Sequence, residues 1–314
     1  MLNILEICKG AKLIGISGHE RPDGDCIGSS MAIYYYLKEH MPEAEIYVYL
    51  EESARKFYHL RDIDKICVSA EKKGVFDVFF ALDTAPDRLS HAKELYENAK
   101  IKVNIDHHIT NPGVGDFHLV KPEIGSCAEI IYELIPESHL NKDIAKAIYI
   151  GIIHDTGVFQ YSNTKSSTLE AAAKLISYDF EFHNLISESF YGQSFVEMKL
   201  SAFAVNKSKL LLEGKVIFSY ITLEEMKEYQ ADSSDLGGVV SQLKNVLSIK
   251  CAIFIYELEN GLWKVSLRTN DEVDAAKIAV ALGGGGHIRA AGASVKGNID
   301  EILEKTLEEI QKQI

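Results

Sequence analysis

The chain has 314 residues, of which 46% are hydrophobic and 25% are charged, so its composition is that of a soluble globular protein with one large domain or two ordinary ones. A formal net charge of −13 argues against a broad basic surface for long duplex nucleic acid, but it leaves room for a short nucleotide held locally by metal ions. The five scattered cysteines indicate free thiols in a reducing compartment, and the sequence shows neither a signal peptide nor a membrane-spanning stretch, so we predict a cytoplasmic protein without membrane contact.

The first candidate site follows a short apolar strand predicted at residues 13–16. His19, Asp23 and Asp25 lie within seven residues of chain, in a turn shaped by Pro and Gly, and apolar residues at helical spacing then predict a helix over 26–39. Asp25 stands where a helix-capping carboxylate would also be favoured. Because an imidazole with two carboxylates is a ligand set for a divalent transition metal such as manganese, the turn is a candidate metal site.

Two further apolar runs end in the same residue types. After a strand predicted at 45–50, the near-continuous apolar run 76–82 indicates a parallel strand covered on both faces, and Asp83 follows it directly. The alternating run 101–105 predicts another strand and leads into three polar residues, Asp106, His107 and His108. Since ligands bind at the carboxyl edge of an open parallel sheet, we expect these side chains to share one site with those of the first turn.

Asp155 is a last candidate ligand in the first part of the chain. The remaining elements predicted there are a strand and three helices, at 115–120, 124–134, 143–153 and 165–178. Asp155 follows the second of these helices, where a carboxylate meets the negative end of the helix dipole unless a cation compensates it. We therefore add Asp155 to the predicted ligands, interpret its neighbour His154 as structural, and expect Asn163 or Thr164 to cap the third helix.

The composition changes after about residue 185, which predicts three parts. These are a catalytic domain at 1–186, a helical linker at 187–211 and a second domain at 212–314. In the second domain, strands are predicted at 215–222, 251–256, 263–268 and 290–295, and helices at 223–230, 236–246, 275–282 and from 299 onwards. The turn Glu259-Asn260-Gly261 indicates a hairpin between two of the strands.

A run of four glycines, 283–286, predicts a second kind of site. Such a run lets the backbone approach an anion closely and point several N–H groups at it. His287 follows the run directly, and Arg268, at the end of the hairpin, is of the residue type suited to a bidentate grip on phosphate. Together these residues predict a phosphate-binding pocket in the second domain.

Taken together, the motifs resemble those of a known family. His19-x3-Asp23-x-Asp25, Asp83-Thr84, Asp106-His107-His108 and Asp155-Thr156-Gly157 are similar, in order and placement, to the four motifs of the DHH phosphoesterase family. Residues 265–268 and 283–292 resemble the DHH-associated C-terminal domain of the same family, so the resemblance covers nearly the whole chain. It implies an α/β fold in which an N-terminal parallel-sheet domain is joined by a helical linker to a smaller C-terminal α/β domain, with the active site in the cleft between them.

The resemblance also implies roles for individual residues. Two manganese ions would lie at the sheet edge, with His19 and Asp23 on one ion, Asp25, His107 and Asp155 on the other, and Asp83 between them. His108 would face the substrate phosphate as a catalytic residue, and Asp106 would orient the site from behind the metal ligands. The substrate would be held by residues of the second domain, namely Arg268, Gly284, Gly285, Gly286 and His287.

Among members of this family, two-domain chains of this length resemble the bifunctional oligoribonucleases and pAp phosphatases. The resemblance implies hydrolysis of short oligoribonucleotides (nanoRNA) to mononucleotides and of pAp to AMP, by attack of a hydroxide that two metal ions generate. The expected partners are these substrates or dinucleotides and no long duplex nucleic acid, while a monomer and a homodimer both stay open. Thr269 stands where the family has Ser, and His154 where Thr or Ala is more usual, so the substrate preference stays open as well.

Three alternatives share some of these features. A phosphodiesterase acting on linear or cyclic dinucleotides, such as pApA or cyclic di-AMP, would use the same site, and the sequence discriminates poorly between the two substrate classes. A manganese inorganic pyrophosphatase would share the N-terminal motifs, but the sequence lacks the basic Ser-Arg-Lys-Lys pattern of that family. A catalytically inactive nucleotide-binding module would be expected to have lost ligand positions, whereas all six, and His108, are present.

Overall fold

The structure is a computed structural model, which describes residues 2–52, 57–71, 74–89 and 91–314. Contacts divide the chain into two compact units, Met1–Gly192 and Gln193–Ile314. No helix in the described ranges is long and apolar enough to cross a membrane.

The first unit is built on a parallel sheet of five strands in the order β2-β1-β3-β4-β5. The strands are β1 (Leu13–Ser17), β2 (Glu45–Tyr49), β3 (Val78–Leu82), β4 (Ile101–Asp106) and β5 (Phe117–Val120). Every residue of the central strand β3 is buried, as expected for an apolar parallel strand covered on both faces. The carboxyl ends of β1, β3 and β4 therefore lie side by side, each followed by a segment with candidate ligands.

Seven helices accompany this sheet in the described ranges: α1 (Ile4–Ile7), α2 (Gly24–His40), α3 (Lys93–Glu97), α4 (Cys127–Leu134), α5 (Lys142–Asp155), α6 (Ser166–Ile176) and α7 (Phe182–Leu185). Helices α2 and α5 pack so closely that a Cβ atom on Gly28 would lie 2.5 Å from the carbonyl oxygen of Ala147. The predicted cap of α6 was wrong: the N-cap residue is Lys165, because the Asn163 amide instead donates to backbone carbonyls of Gly125 and Asp155.

The second unit has a mixed sheet of six strands in the order β10-β11-β9-β8-β7-β6. Its strands are β6 (Lys209–Leu211), β7 (Val216–Ile221), β8 (Cys251–Glu259), β9 (Leu262–Thr269), β10 (Gly285–Gly286) and β11 (Ala290–Lys296). Strands β7 and β8 are parallel, and the other neighbours are antiparallel, including the predicted β8–β9 hairpin. The helices of this unit are α8 (Phe195–Asn206), α9 (Leu223–Glu228), α10 (Val239–Lys244), α11 (Ala275–Ala281) and α12 (Ile299–Gln311).

The glycine run has a packing role that its sequence did not predict. Gly285 and Gly286 pair with Gly292 and Ala291 as a short edge strand. A Cβ atom on Gly284 would lie 2.2 Å from the carbonyl oxygen of Gly292, so only glycine allows this approach.

Candidate active site

Three histidines and several carboxylates meet at the carboxyl edge of the parallel sheet. His107, which follows β4, lies close to the carboxylates of three different elements. Its Nε2 atom is 3.8 Å from Asp25 Oδ2 at the start of α2, 3.5 Å from Asp83 Oδ1 after β3, and 3.3 Å from Asp155 Oδ2 at the end of α5. The four motifs singled out in the sequence are thus brought together by the fold.

His19 forms the other side of this cluster. Its Nε2 atom lies 3.6 Å from Asp23 Oδ1 and 3.5 Å from Asp83 Oδ2, so the two oxygens of Asp83 face different histidines. Three groups have ligand atoms within 4.8 Å of one another: His19 with Asp23 and Asp83, Asp25 with His107 and Asp155, and Asp83 with His107 and His108. Asp83 belongs to the first and to the third of these groups, so it links them.

Asp83 has properties that a bound cation would explain. Its side chain is 2% exposed, and Oδ1 has no hydrogen-bond partner among the described residues. Burial and the nearby negative charge of Asp25 raise the pKa of the Asp83 carboxyl well above its ordinary value. Its backbone has a φ of 56°, a left-handed conformation that is costly for aspartate and that clusters at functional sites.

The neighbouring carboxylates show the same electrostatic strain. Burial, with the charges of Asp25 and Asp23, raises the pKa of Asp155 well above its ordinary value. Burial lowers the pKa of His19, but hydrogen bonds and charges from Asp23 and Asp83 outweigh it and raise that pKa to about 11. Burying several carboxylates together is costly unless a cation compensates them, so the donor set fits divalent metal ions.

Asp25 is held by the beginning of another helix. The backbone N–H groups of Cys127 and Ala128, in the first turn of α4, donate to its two oxygens at 2.6 and 2.8 Å. The helix dipole also favours a negative charge at this position. A Cβ atom on Gly151 of α5 would lie 2.8 Å from Asp25 Oδ1, so the glycine leaves the room that this carboxylate occupies.

Asp106 is fully engaged with protein donors. Its Oδ1 accepts hydrogen bonds from the backbone N–H groups of His107 and His108, at 2.7 and 3.0 Å, and lies 2.7 Å from the His108 ring atom Nδ1. The amide of Asn111 donates to Oδ2 at 2.6 Å. These bonds lower the pKa of Asp106 although burial acts in the opposite direction, and they fix the orientation of His108.

Sequence reasoning missed two residues behind the site, Asn104 and Asn111. Asn104, fully buried in β4, donates to the carbonyl groups of Ala81 and Thr84, at 3.1 and 2.8 Å. Asn111 donates to the Asn104 side-chain oxygen at 3.0 Å and to the Thr84 carbonyl at 3.1 Å. The pair therefore brackets the strained turn at Asp83. A lone amide within an apolar strand was a usable signal, because a buried amide needs partners.

Comparisons with known proteins agree with this arrangement. Residues 13–152 match the model of the DHH family, N-terminal domain, and residues 213–313 match the DHHA1 domain. The chain is 31% identical to the bifunctional oligoribonuclease and PAP phosphatase NrnA of Thermus thermophilus, over 96% of this chain and 90% of that one. The chain belongs to the DHH family. This confirms the resemblance stated from its motifs, and with it the assignment to the hydrolases.

Two further comparisons concern the family and the fold. The NrnA protein of Bacillus subtilis is 29% identical over 88% of this chain and 87% of its own length. The crystal structure of an exopolyphosphatase-related protein from Bacteroides fragilis superimposes with a TM-score of 0.89, covering 98% of this chain and 94% of that one at 22% identity. The latter similarity confirms the α/β fold with a parallel sheet in the DHH domain and a second sheet in the DHHA1 domain.

In the DHHA1 domain, the predicted substrate-binding residues lie at one end of the mixed sheet. Arg268, near the end of β9, is opposite Ala290 of β11 in the register. His287 lies in the turn between β10 and β11, where its backbone N–H donates to the Ala290 carbonyl at 2.8 Å. The exposed glycines 284–286 precede this turn, so the structure brings Arg268, His287 and the glycines together.

Proposed function

We propose that this DHH protein is a manganese-dependent phosphoesterase that hydrolyses short oligoribonucleotides to mononucleotides and dephosphorylates pAp to AMP. The observation that carries the proposal is the position of Asp83, whose two oxygens each lie 3.5 Å from a different histidine, His19 or His107. One of these oxygens has no hydrogen-bond partner among the described residues. Relatives named as bifunctional oligoribonuclease and PAP phosphatase support the choice of substrates.

The metal ligands proposed are the six residues of the cluster. His19 and Asp23 would hold one ion, Asp25, His107 and Asp155 the other, and Asp83 would contact both. The division is supported by two of the groups whose ligand atoms lie within 4.8 Å of one another, His19 with Asp23 and Asp83, and Asp25 with His107 and Asp155. Imidazole with carboxylate favours manganese over magnesium, which prefers oxygen ligands alone. Bound ions would neutralise charge on the phosphate and lower the pKa of a water molecule.

His108 and Asp106 are proposed to act on the substrate side of the cluster. Because Asp106 accepts a hydrogen bond from Nδ1–H of His108, we assign the other ring nitrogen, Nε2, to the substrate. A protonated His108 would donate from Nε2 to a phosphate oxygen and stabilise the charge that develops during hydrolysis. Asp106 would keep the ring in this orientation.

The DHHA1 domain is proposed to bind the substrate through Arg268, the glycines 284–286 and His287. The planar guanidinium suits bidentate contact with a phosphate, and the exposed glycine backbone allows close approach of an anion. A formal net charge of −13 would repel a long polyanion, whereas a substrate of a few nucleotides is small enough to be held by these local groups.

The test is turnover of a substrate panel with added manganese: pAp, pApA, a short RNA pentamer, a long RNA, cyclic di-AMP and pyrophosphate. We expect rapid loss of pAp and the pentamer, slow loss of the long RNA, and loss of activity in His107→Ala. His183→Ala, a substitution of an exposed histidine in α7, is the matched control and should keep full activity. Preference for pApA or cyclic di-AMP would instead identify a dinucleotide phosphodiesterase, and no hydrolysis by folded, manganese-loaded protein would refute the proposed function.

A further inference from the structure

A cavity of about 1040 Å³ in the DHH domain extends beyond the groups that the proposed function uses. The cavity is lined by His19, Asp83 and His108 of the candidate active site, but also by Arg21, by Arg88 and by residues that follow the DHH motif. Its volume is at the upper end of the range for pockets that bind small ligands, so it has room for more than one phosphate group.

The two arginines are the cationic side chains of this cavity that no other group neutralises. Both are exposed, and neither side chain forms an ion pair or a hydrogen bond within the described part of the chain. His19 and Leu89 form an isolated antiparallel β-bridge, which places the chain segment that contains Arg21 next to the segment that contains Arg88. The backbone of Arg21 is fixed by its N–H, which donates to Glu51 Oε2 at 3.0 Å, and has a φ of 53°.

Unpaired arginines next to an acidic cluster call for an explanation, because a guanidinium within reach of a carboxylate usually forms a bidentate pair. Here the carboxylates of the candidate active site are directed elsewhere: Asp23 and Asp83 face His19, and Asp106 contacts His108. The planar fork of each arginine is therefore free for a ligand with the same oxygen geometry, and phosphate is the match.

We propose that Arg21 and Arg88 form a second phosphate subsite, which binds the phosphate of the substrate that is not being hydrolysed. The inference rests on the proposed function, because it assigns the reacting phosphate to the His/Asp cluster and the other phosphate to the arginines. Pro112 and Val114 line the same cavity and offer an apolar surface for the sugar or base. Glu20 and Asp87 also line it and weaken attraction for a free anion, so the subsite acts on a phosphate tethered to the reacting one.

The experiment compares two substrates that share the reacting group but differ in the second phosphate. The pair is pAp, which carries a second phosphate, and p-nitrophenyl phosphate, a phosphomonoester that carries none. In Arg21→Gln and Arg88→Gln, we expect kcat/KM for pAp to fall about 10- to 100-fold, the usual effect of losing charge-assisted hydrogen bonds. The loss should be at least about tenfold larger than for p-nitrophenyl phosphate. Lys93→Gln, a change of an exposed cation in α3 outside the cavity, should alter neither substrate.

The outcomes separate this subsite from the proposed function. If the wild type hydrolyses both substrates, and the arginine variants lose activity equally on both or lose none, the subsite is refuted and the phosphoesterase activity still stands. Absence of turnover by the wild type would overturn the proposed function. In that case calorimetric binding of pAp decides the subsite: binding that is weakened by Arg88→Gln but not by Lys93→Gln supports it, and unchanged or absent binding overturns it.

Discussion

Replacing Asn111 with alanine should show how far the active site depends on residues that never touch the substrate. The Asn111 amide donates to three acceptors, Asp106 Oδ2 at 2.6 Å, Asn104 Oδ1 at 3.0 Å and the Thr84 carbonyl at 3.1 Å. The Thr84 carbonyl would keep its bond from Asn104, whereas the other two acceptors would lose the donor.

The magnitude follows from the burial of these two acceptors. Asn104 and Asp106 are both fully buried, and leaving a buried acceptor unsatisfied costs about 1–3 kcal/mol, with more for a charged group. Asn111 itself is 8% exposed, so water can partly replace its amide. We therefore expect a loss of about 3 kcal/mol in the free energy of unfolding, which for a unit of this size lowers its Tm by about 6–12 °C.

Thermal unfolding followed by circular dichroism measures this loss, with Asn98→Ala as the control. Asn98 is exposed and makes a single side-chain bond to the Glu94 carbonyl, at 2.7 Å, so its replacement should change stability by less than about 0.5 kcal/mol. Since Asp106 orients His108, Asn111→Ala should also lower kcat about 10- to 100-fold. A Tm and a kcat equal to those of Asn98→Ala would refute the view that the asparagine pair positions the site.

Three other predictions follow from the site and its supports. In metal-free protein the pKa values of Asp83 and Asp155 are raised by burial and by neighbouring carboxylates, so these groups stabilise the fold at low pH and lose that effect as pH rises. The Tm measured with EDTA should therefore fall as pH rises above the ordinary carboxyl range. Added manganese should remove this pH dependence and raise Tm. In Asp83→Asn the pH dependence of Tm should be smaller, and manganese should have no effect. An equal pH slope in wild type and Asp83→Asn would contradict the assignment of Asp83 as a metal ligand. Gly28→Ala should destabilise the protein by about 1–3 kcal/mol in urea unfolding, because its Cβ would meet the backbone of α5, whereas Gly237→Ala, with open space around it, should be nearly neutral. Burial raises the pKa of Cys8 and Cys251 to about 12 and those of Cys26 and Cys127 well above normal, so a thiol reagent should rapidly modify Cys67 at most in native protein and all five cysteines after unfolding.

The sequence predicts the parts of this site that are local in the chain. Asp83 and His107 each follow an apolar run, and parallel strands place such residues at one edge, so their proximity could be inferred without coordinates. The same reasoning recovered the longer strands and helices of both units, with differences of a few residues at their ends. It missed the short helices α1, α3 and α7, and it was wrong at β6, which lies within the predicted helical linker. It failed at the cap of α6 and at β10, where a long-range bond or a close backbone approach overrides the local pattern.

Other supports of the site have no local signature. In the sequence, Gly28 and Gly151 are ordinary residues within predicted helices. In the structure, Gly28 allows α2 and α5 to approach closely, and Gly151 leaves space for Asp25 Oδ1. Their importance arises only when two helices far apart in the chain are packed together. Similarly, nothing adjacent to Asp25 in the sequence indicates that its donors would come from the first turn of α4, about a hundred residues later.

The hydrogen bonds of Asp106, which positions its neighbours, differ from those of Asp83, which would bind metal. Asp106 is satisfied by backbone and side-chain donors on both oxygens, which leaves it little capacity for a cation. Asp83 is as deeply buried, but one of its oxygens has no donor among the described residues and the other faces only His19. If the site were merely a polar network, burial would favour donors for both residues alike. This difference fits a cation at Asp83, because a ligand needs a free lone pair while the group behind it holds its neighbours in place.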